Sequence, residues 1–373
     1  MKKLLLITFL MISSVQTQAS DIEDSTRFSN SKIYKFFTSP KYIISPFAFY
    51  MPETNLVIGA GIKHFYNFGT ENDSLTRVSN VAASIQYSLN GQFLFRSQYQ
   101  IFTNQEKYYI TGYLGYSRFP INYYGIGNTI ELNKNEVVSF DYLRFDNLVY
   151  RKVGQNSFAG LGWRYMNMFN VNVRENGLLE TQKPVGMYGS AVSGINISYL
   201  FDNRDNILTP SKGAFAQLVY SIHSKATAST HAFNRWQFDA RYYFKPFKKR
   251  EDVLAFQGYG FLSVGDVPFN ELAQMGGDMI MRGYYQGSYR DKNLLAAQAE
   301  YRLQVLKRWG VVGFAGGGCV HDAMSKFDAV NIKPSYGGGL RFKINRKENV
   351  NLRMDYGFGN GQQNIYFFIA EAF

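Results

Sequence analysis

Val350-Asn351-Leu352-Arg353-Met354-Asp355-Tyr356-Gly357-Phe358 sets Val, Leu, Met, Tyr and Phe at every second position, with Asn, Arg, Asp and Gly between them. A period of two puts the two sets on opposite faces of a β-strand, one apolar and one polar. Working outward, the preceding segment sets Tyr336, Gly338, Leu340, Phe342 and Ile344 against Gly337, Gly339, Arg341 and Lys343. Further back, Ala297, Ala299, Tyr301 and Leu303 alternate with Gln298, Glu300, Arg302 and Gln304. Trp236, Phe238, Ala240, Tyr242 and Phe244 oppose Arg235, Gln237, Asp239, Arg241 and Tyr243. Phe93, Phe95, Tyr99 and Ile101 alternate with Gln92, Arg96, Gln98 and Gln100.

A soluble β-sandwich alternates too, so strand length and the composition of the polar face decide. These segments run to about ten residues, the span of a tilted membrane strand, whereas strands of soluble domains average about five or six. Their polar faces carry charges of both signs, as a water-filled lumen would. The chain closes with Gln363 to Phe373, where Ile365, Phe367 and Ile369 alternate before a terminal aromatic, and Glu371 is the one polar departure on that face. Composition agrees: 28 Tyr and 32 Phe stand beside only 9 Pro, yet mean hydropathy is −0.24. No segment after the N-terminus approaches the roughly 20 apolar residues of a membrane helix. The pattern predicts an all-β fold, an antiparallel transmembrane barrel.

The N-terminus reads as an export signal. Met1-Lys2-Lys3 precedes an apolar run, Leu4 to Ile12, too short to span a bilayer, and Thr17-Gln18-Ala19 fits a small-x-small cleavage site. The expected organisation is a signal peptide at 1–19, a short periplasmic tail at 20–39, and a barrel at 40–373 in the outer membrane. Formal charge is +12, or +10 without Lys2 and Lys3. In an exported protein this excess points away from nucleic acid and toward a basic lumen or anionic headgroups at the rims. Cys319 is the single cysteine, so it forms no internal disulfide. No metal-ligand spacing, phosphate loop or nucleophile elbow occurs, and the four His are dispersed. His321-Asp322, the one close acid–histidine pair, lies in an expected loop and reads as solvated. We therefore expect no catalytic site, no cofactor and no metal.

Short turns are expected at Asn90-Gly91, 152–156, 307–310 and 345–349, and longer connections at 119–133, 172–188, 266–292 and 321–334. Counting back from Phe373 gives about 16 strands with both chain ends on the periplasmic side. The side faced by the turns at Pro52-Glu53-Thr54 and Asn90-Gly91 stays open at this level.

Three stretches resemble one family, the bacterial surface antigen superfamily of outer-membrane assembly factors that includes BamA and TamA. Met275-Gly-Gly-Asp-Met-Ile-Met-Arg-Gly-Tyr284 is similar to its Arg-Gly-aromatic loop, and Asn293 to Arg302 to the strand that follows. Asp202 to Gly213 is similar to its Asp-x-x-Asp…Pro-x-x-Gly turn. Tyr124-Gly-Ile-Gly-Asn128, with Pro52-Glu53-Thr54, resembles members lacking periplasmic domains.

The resemblance implies 16 strands and a long loop, carrying Arg282, Gly283 and Tyr284, folded back into the lumen. There the arginine would meet an acidic residue of the wall, and strand parity selects Glu300 as that partner. Family members set a second acid in a Phe-x-Asp pattern on the next strand. Gly316 stands at that position here, which weights the pairing toward Glu300. The glycines of 313–318 and 337–339 would either accommodate a bulky neighbour or leave a flexible wall. Phe47, Phe367 and Phe373 are the expected residues of a seam between first and last strand. The family's POTRA domains have no room ahead of this barrel, so a separate periplasmic protein or lipoprotein is the expected partner, beside outer-membrane lipid and lipopolysaccharide. The implied function is insertion, assembly or translocation of proteins or lipids at the outer membrane. The alternatives are a plugged or passive pore for small solutes, with anions favoured, and a membrane anchor for a separately encoded partner.

Overall fold

A computed structural model of the chain describes residues 42–52, 54–66, 68, 76–345 and 350–373. The expected signal peptide (1–19) and tail (20–39) lie outside the described residues. The wall begins with β1 (Tyr42–Met51), β2 (Asn55–Tyr66), β3 (Ser79–Ser88), β4 (Phe93–Phe102) and β5 (Tyr108–Arg118). After a three-residue strand, β6 (Ile121–Tyr123), it continues with β7 (Glu136–Gly154), β8 (Ser157–Asn172), β9 (Ser190–Asp202), β10 (Gly213–His223), β11 (Phe233–Phe244) and β12 (Val253–Gly265). Two short strands, β13 (Ala273–Met275) and β14 (Tyr289–Asp291), pair with each other inside a long loop. The wall ends with β15 (Asn293–Gln304), β16 (Trp309–His321), β17 (Lys333–Asn345), β18 (Val350–Gly359) and β19 (Gln362–Ile369).

Setting aside β6, β13 and β14, sixteen antiparallel strands pair with their chain neighbours, and β1 meets β19 to close the barrel. Closure removes the two free edges, whose unpaired backbone groups lipid could not hydrate. The even count puts the two ends of the described chain, before β1 and after β19, at one rim. The turns at 52–54 and 89–92 therefore lie at the other rim, together with the long loops, which settles the facing that the sequence left open.

Period two decides which side each residue takes. On β18 and β17, Met354, Tyr356, Leu340 and Tyr336 are exposed on the outer face, whereas Arg353, Asp355 and Arg341 are buried inside. The same holds round the wall, where Ile85, Leu114, Val149, Leu161, Ile197 and Trp236 are exposed outward. Apolar exposure continuous round a whole barrel far exceeds the few hundred Å² that a soluble monomer tolerates, and it is the band a bilayer covers.

The glycine-rich segments of β16 and β17 accommodate neighbouring groups. A Cβ on Gly337 would lie 2.6 Å from the Phe314 ring, and one on Gly339 only 2.0 Å from Asp355 Oδ1. Of the expected strands, the last is shorter than read. β19 stops at Ile369, and Ala370 adopts φ +79°.

Candidate functional site

The loop 266–292 leaves β12 at the rim away from the chain ends and folds into the lumen. Its entry is held by an apolar cap in which Val267, Phe269 and Leu272 pack with Tyr123, Phe140, Met168, Met187 and Val192. Leu179, from the short helix α1 (Leu178–Gln182), joins the same cluster. Below the cap, Glu271 accepts Arg164 Nη2 at 2.9 Å from β8 and Arg235 Nη1 at 2.8 Å from β11. Burial alone would raise the Glu271 carboxyl, but the charges of Arg164 and Arg235 outweigh it and hold it at about 2.

Deeper in the lumen the tip turns through positive φ at Gly276, Gly277, Met281 and Gly283. Gly283, at φ +111°, lies against β18 so closely that a Cβ would be 2.4 Å from the Phe358 carbonyl carbon. Only glycine serves there, for conformation and for space. Arg282 beside it is fully buried. Its Nη2 donates to Glu300 Oε2 and its Nη1 to Asp355 Oδ2, both at 2.5 Å, while the guanidinium lies 3.6 Å from the centre of the Phe314 ring. One rigid fork thus bridges β15 and β18, and an aromatic face of β16 covers it. Tyr284 donates its hydroxyl to the Pro334 carbonyl at 2.7 Å, and the Tyr366 hydroxyl accepts Gly283 N–H at 3.1 Å. The tip is held by five consecutive strands, β15 to β19.

Asp355 is the second acid, and residue-by-residue transfer of the family pattern had not reached it. Gly316, at the expected position, faces Gln298 across the ladder, and a Cβ there would lie 2.7 Å from the Gln298 Cβ. Gln298 spends its amide on Gln257 and on the Met279 carbonyl of the loop. Loop backbone thus occupies the space beside β16, and the carboxylate comes from β18. The signal was legible, because Asp355 sits on the polar face of β18, between Met354 and Tyr356.

The bridge belongs to a larger buried network. Glu300 also accepts Arg302 Nε at 2.7 Å, and Asp355 accepts Arg341 Nη1 at 2.5 Å. Arg341 Nε reaches Glu371 at 2.6 Å, and Arg353 reaches Asp278 of the loop at 3.0 Å. Arginines 282, 302, 341 and 353 face carboxylates 278, 300, 355 and 371, four against four. A balanced set is the form in which buried charge is tolerated.

The seam residues separate in space. Among the described residues the ladder between β1 and β19 has one paired position, Tyr50 opposite Phe367, whereas β1 pairs with β2 at ten and β18 with β19 at eight. Phe367 thus lies at the seam, but its partner is Tyr50. Phe47 lies opposite Gly59 of β2, and its ring covers the space a Gly59 side chain would need. On the lumen side Phe49 and Phe368 meet across the seam, with ring centres 5.5 Å apart.

Phe373 is not a seam residue. In strand register Glu371 would share the lipid-facing side of Phe367 and Ile369, where an ionised carboxylate is costly. The turn at Ala370 instead carries it onto Arg341 and Asn351. The chain end follows inward, so that Phe373 is buried with Tyr243, Val253 and Ala255, and its carbonyl accepts Arg302 Nη2 at 2.8 Å. Elsewhere, Asp322 pairs with Lys326 Nζ at 2.6 Å rather than with His321.

Comparison with known proteins reaches the same architecture. The sequence model of the Omp85 superfamily domain matches residues 79–373. BamA from Haemophilus ducreyi lacking POTRA domains 1–3 superposes with a TM-score of 0.60 at 13% identity, over 88% of this chain and 70% of that one. CdiB from Acinetobacter baumannii gives 0.56 at 13% identity, over 88% and 59%, and CdiB from Escherichia coli 0.58 at 11%, over 89% and 62%. This chain thus spans less than two thirds of either CdiB. No protein of curated function matches the sequence.

Proposed function

Because this chain belongs to the Omp85 superfamily, we propose that it is an outer-membrane platform at which proteins or lipids are inserted, assembled or translocated through the seam between β1 and β19. The observation that carries this reading is the ladder at the seam, which among the described residues has one paired position where the neighbouring interfaces have eight and ten. Each missing pair withholds backbone hydrogen bonds worth about 1 kcal/mol net apiece. The seam is therefore the interface that parts at least cost, and it exposes strand edges that an incoming strand can pair with.

The loop and the network supply what such an opening needs elsewhere, a wall that stays rigid. Arg282, Gly283 and Tyr284 tie β15 to β19 into one unit through the lumen. Opening then swings the β1 side against a braced C-terminal side. The same loop, with the cap above it, favours the platform over a passive pore, because it fills the path a solute would take. Outer-membrane lipid and lipopolysaccharide surround this barrel in the proposed setting, and a separate periplasmic protein or lipoprotein delivers the client.

The test is a disulfide across the seam, Tyr50→Cys with Phe367→Cys, in the protein's own host; the native Cys319 is buried and does not compete. Oxidation is expected to reproduce the changes in outer-membrane protein and lipid content caused by depleting the protein, and reductant to reverse them. Full function of the oxidised barrel would overturn the reading. So would a steady, large solute current through the wild-type protein in planar bilayers.

A further inference from the structure

The rim that carries both chain ends is strongly unbalanced in charge. Three turns there, 203–212, 245–252 and 305–308, hold eight Lys and Arg against three Asp and Glu. The five long loops of the opposite rim, 119–135, 173–189, 224–232, 266–292 and 322–332, hold eight against nine. The unbalanced turns are grouped. They join β9 to β10, β11 to β12 and β15 to β16, strands contiguous in the order β9-β10-β11-β12-β15-β16. The turns at 103–107 and 155–156, farther round the same rim, add only Lys107 as an exposed cation. Within the group, Lys245 is taken by Glu251 and Arg250 by Asp252 at 2.8 Å. Lys212, Lys248, Lys249, Lys307 and Arg308 are exposed and have no carboxylate partner among the described residues.

Large apolar side chains alternate with these cations. Phe247, Val305 and Leu306 are all about half exposed or more in the turns 245–252 and 305–308, whereas the turn 203–212 leans inward, its Leu208 and Pro210 carbonyls accepting Glu371 N–H and Arg302 Nη1. Just above them the outer wall carries an aromatic belt in which Trp309 packs on Phe342 at 4.8 Å and Phe244 on Phe256 at 6.3 Å. Such belts mark the level where a bilayer passes from acyl chains to headgroups. The cations and their apolar neighbours therefore sit one turn beyond that level, at the depth of phosphate groups.

We propose that these turns form a binding surface for anionic phospholipid headgroups of the leaflet facing the chain ends, with Lys248, Lys249, Lys307 and Arg308 contacting phosphate and Phe247 and Leu306 inserted between acyl chains. Charge complementarity selects an anionic ligand. Continuity of the apolar side chains with the lipid-facing belt selects a lipid over an acidic protein, which would bury the turns away from the bilayer. Such a surface anchors β11 to β16, with three strands between its near edge and the seam, and fixes the barrel's depth and tilt. The proposal does not depend on what passes the seam.

The test uses the whole chain in nanodiscs of neutral phosphatidylcholine with one fifth phosphatidylglycerol. Lipids retained after mild detergent extraction are counted by native mass spectrometry, for wild type and for Lys248→Gln/Lys249→Gln/Lys307→Gln/Arg308→Gln. A basic residue near an anionic surface contributes about fivefold in partitioning. Wild type is therefore expected to retain phosphatidylglycerol and phosphatidylcholine in a ratio at least tenfold above that of the disc, and the variant to fall to near the ratio of the disc. Wild-type preference should also decline as salt is raised through about 0.5 M, a readout that stands even if the variant folds poorly. No headgroup preference in wild type, an undiminished one in the folded variant, or an acidic protein captured through these residues without lipid preference would overturn the proposal.

Discussion

Arg282 is the residue on which the lumen is organised, and its chemistry explains why a lysine would not serve. The guanidinium holds Nη1 and Nη2 in one rigid plane, and Asp355 and Glu300 accept from one each, from strands three places apart in the wall. An ammonium is a point charge that satisfies one carboxylate and leaves the other with a weaker partner. Arg282→Ala is expected to lower stability by about 3 kcal/mol, the low end for breaking a buried pair, because Arg302 and Arg341 still hold the two acids. Arg282→Lys should restore less than half of that loss. Urea unfolding of the micelle-bound barrel, followed by its heat-modifiable mobility, measures both. Glu271 makes a pH prediction. Its carboxyl is held at about 2 against an ordinary value near 4.3, so its contribution is complete above pH ~4.3 and lost as pH falls toward 2. Protease resistance of the loop 266–292 should therefore decline on acidification in wild type, and be lower and pH-insensitive over that window in Glu271→Gln. Glu300 could be read from the strand pattern because parity alone sets its side. Glu271 could not, since its arginines lie on β8 and β11, more than a hundred and about thirty-five residues away in the chain.

At the scale of elements the last strand teaches most. Alternation of Ile365, Phe367 and Ile369 gave β19 its face, and Glu371 was the visible break in that pattern. What the pattern could not supply was the destination of the break, because Arg341 and Asn351 belong to other strands and register is a tertiary fact. The consequence is a chain end that leaves the wall and packs inside it. Phe373→Ala is accordingly expected to cost about 3 kcal/mol, as for a core aromatic, whereas Phe367→Ala on the lipid side should cost under ~1 kcal/mol. Matched denaturant titrations of the two variants distinguish a lumen-buried terminus from one lying in the membrane face; equal small losses would contradict the burial. The loop shows the same division between local and distant information. Its glycines and the Arg-Gly-Tyr tip were legible, but the cap that closes its entry is assembled from residues 123 to 272 and follows no local pattern.

The whole molecule is a closed wall with unequal fastening. One side, β15 to β19, is cross-braced through the lumen by the loop and by the ion network, and the chain end adds a further tie at the rim. The other, β1, is joined to β2 along its length and, among the described residues, to β19 at a single paired position. Strand number and closure followed from alternation and an even count, whereas the facing of the first hairpins and the relative strength of sixteen interfaces could come only from the assembled barrel. Double electron–electron resonance in lipid bilayers measures that inequality. Spin labels at residues 50 and 367 report the seam, and labels at 356 and 365, opposite each other on β18 and β19, report an ordinary interface. A narrow single distance is expected for the 356–365 pair and a second, wider population for the 50–367 pair. A single distance for both, equally narrow, would contradict it.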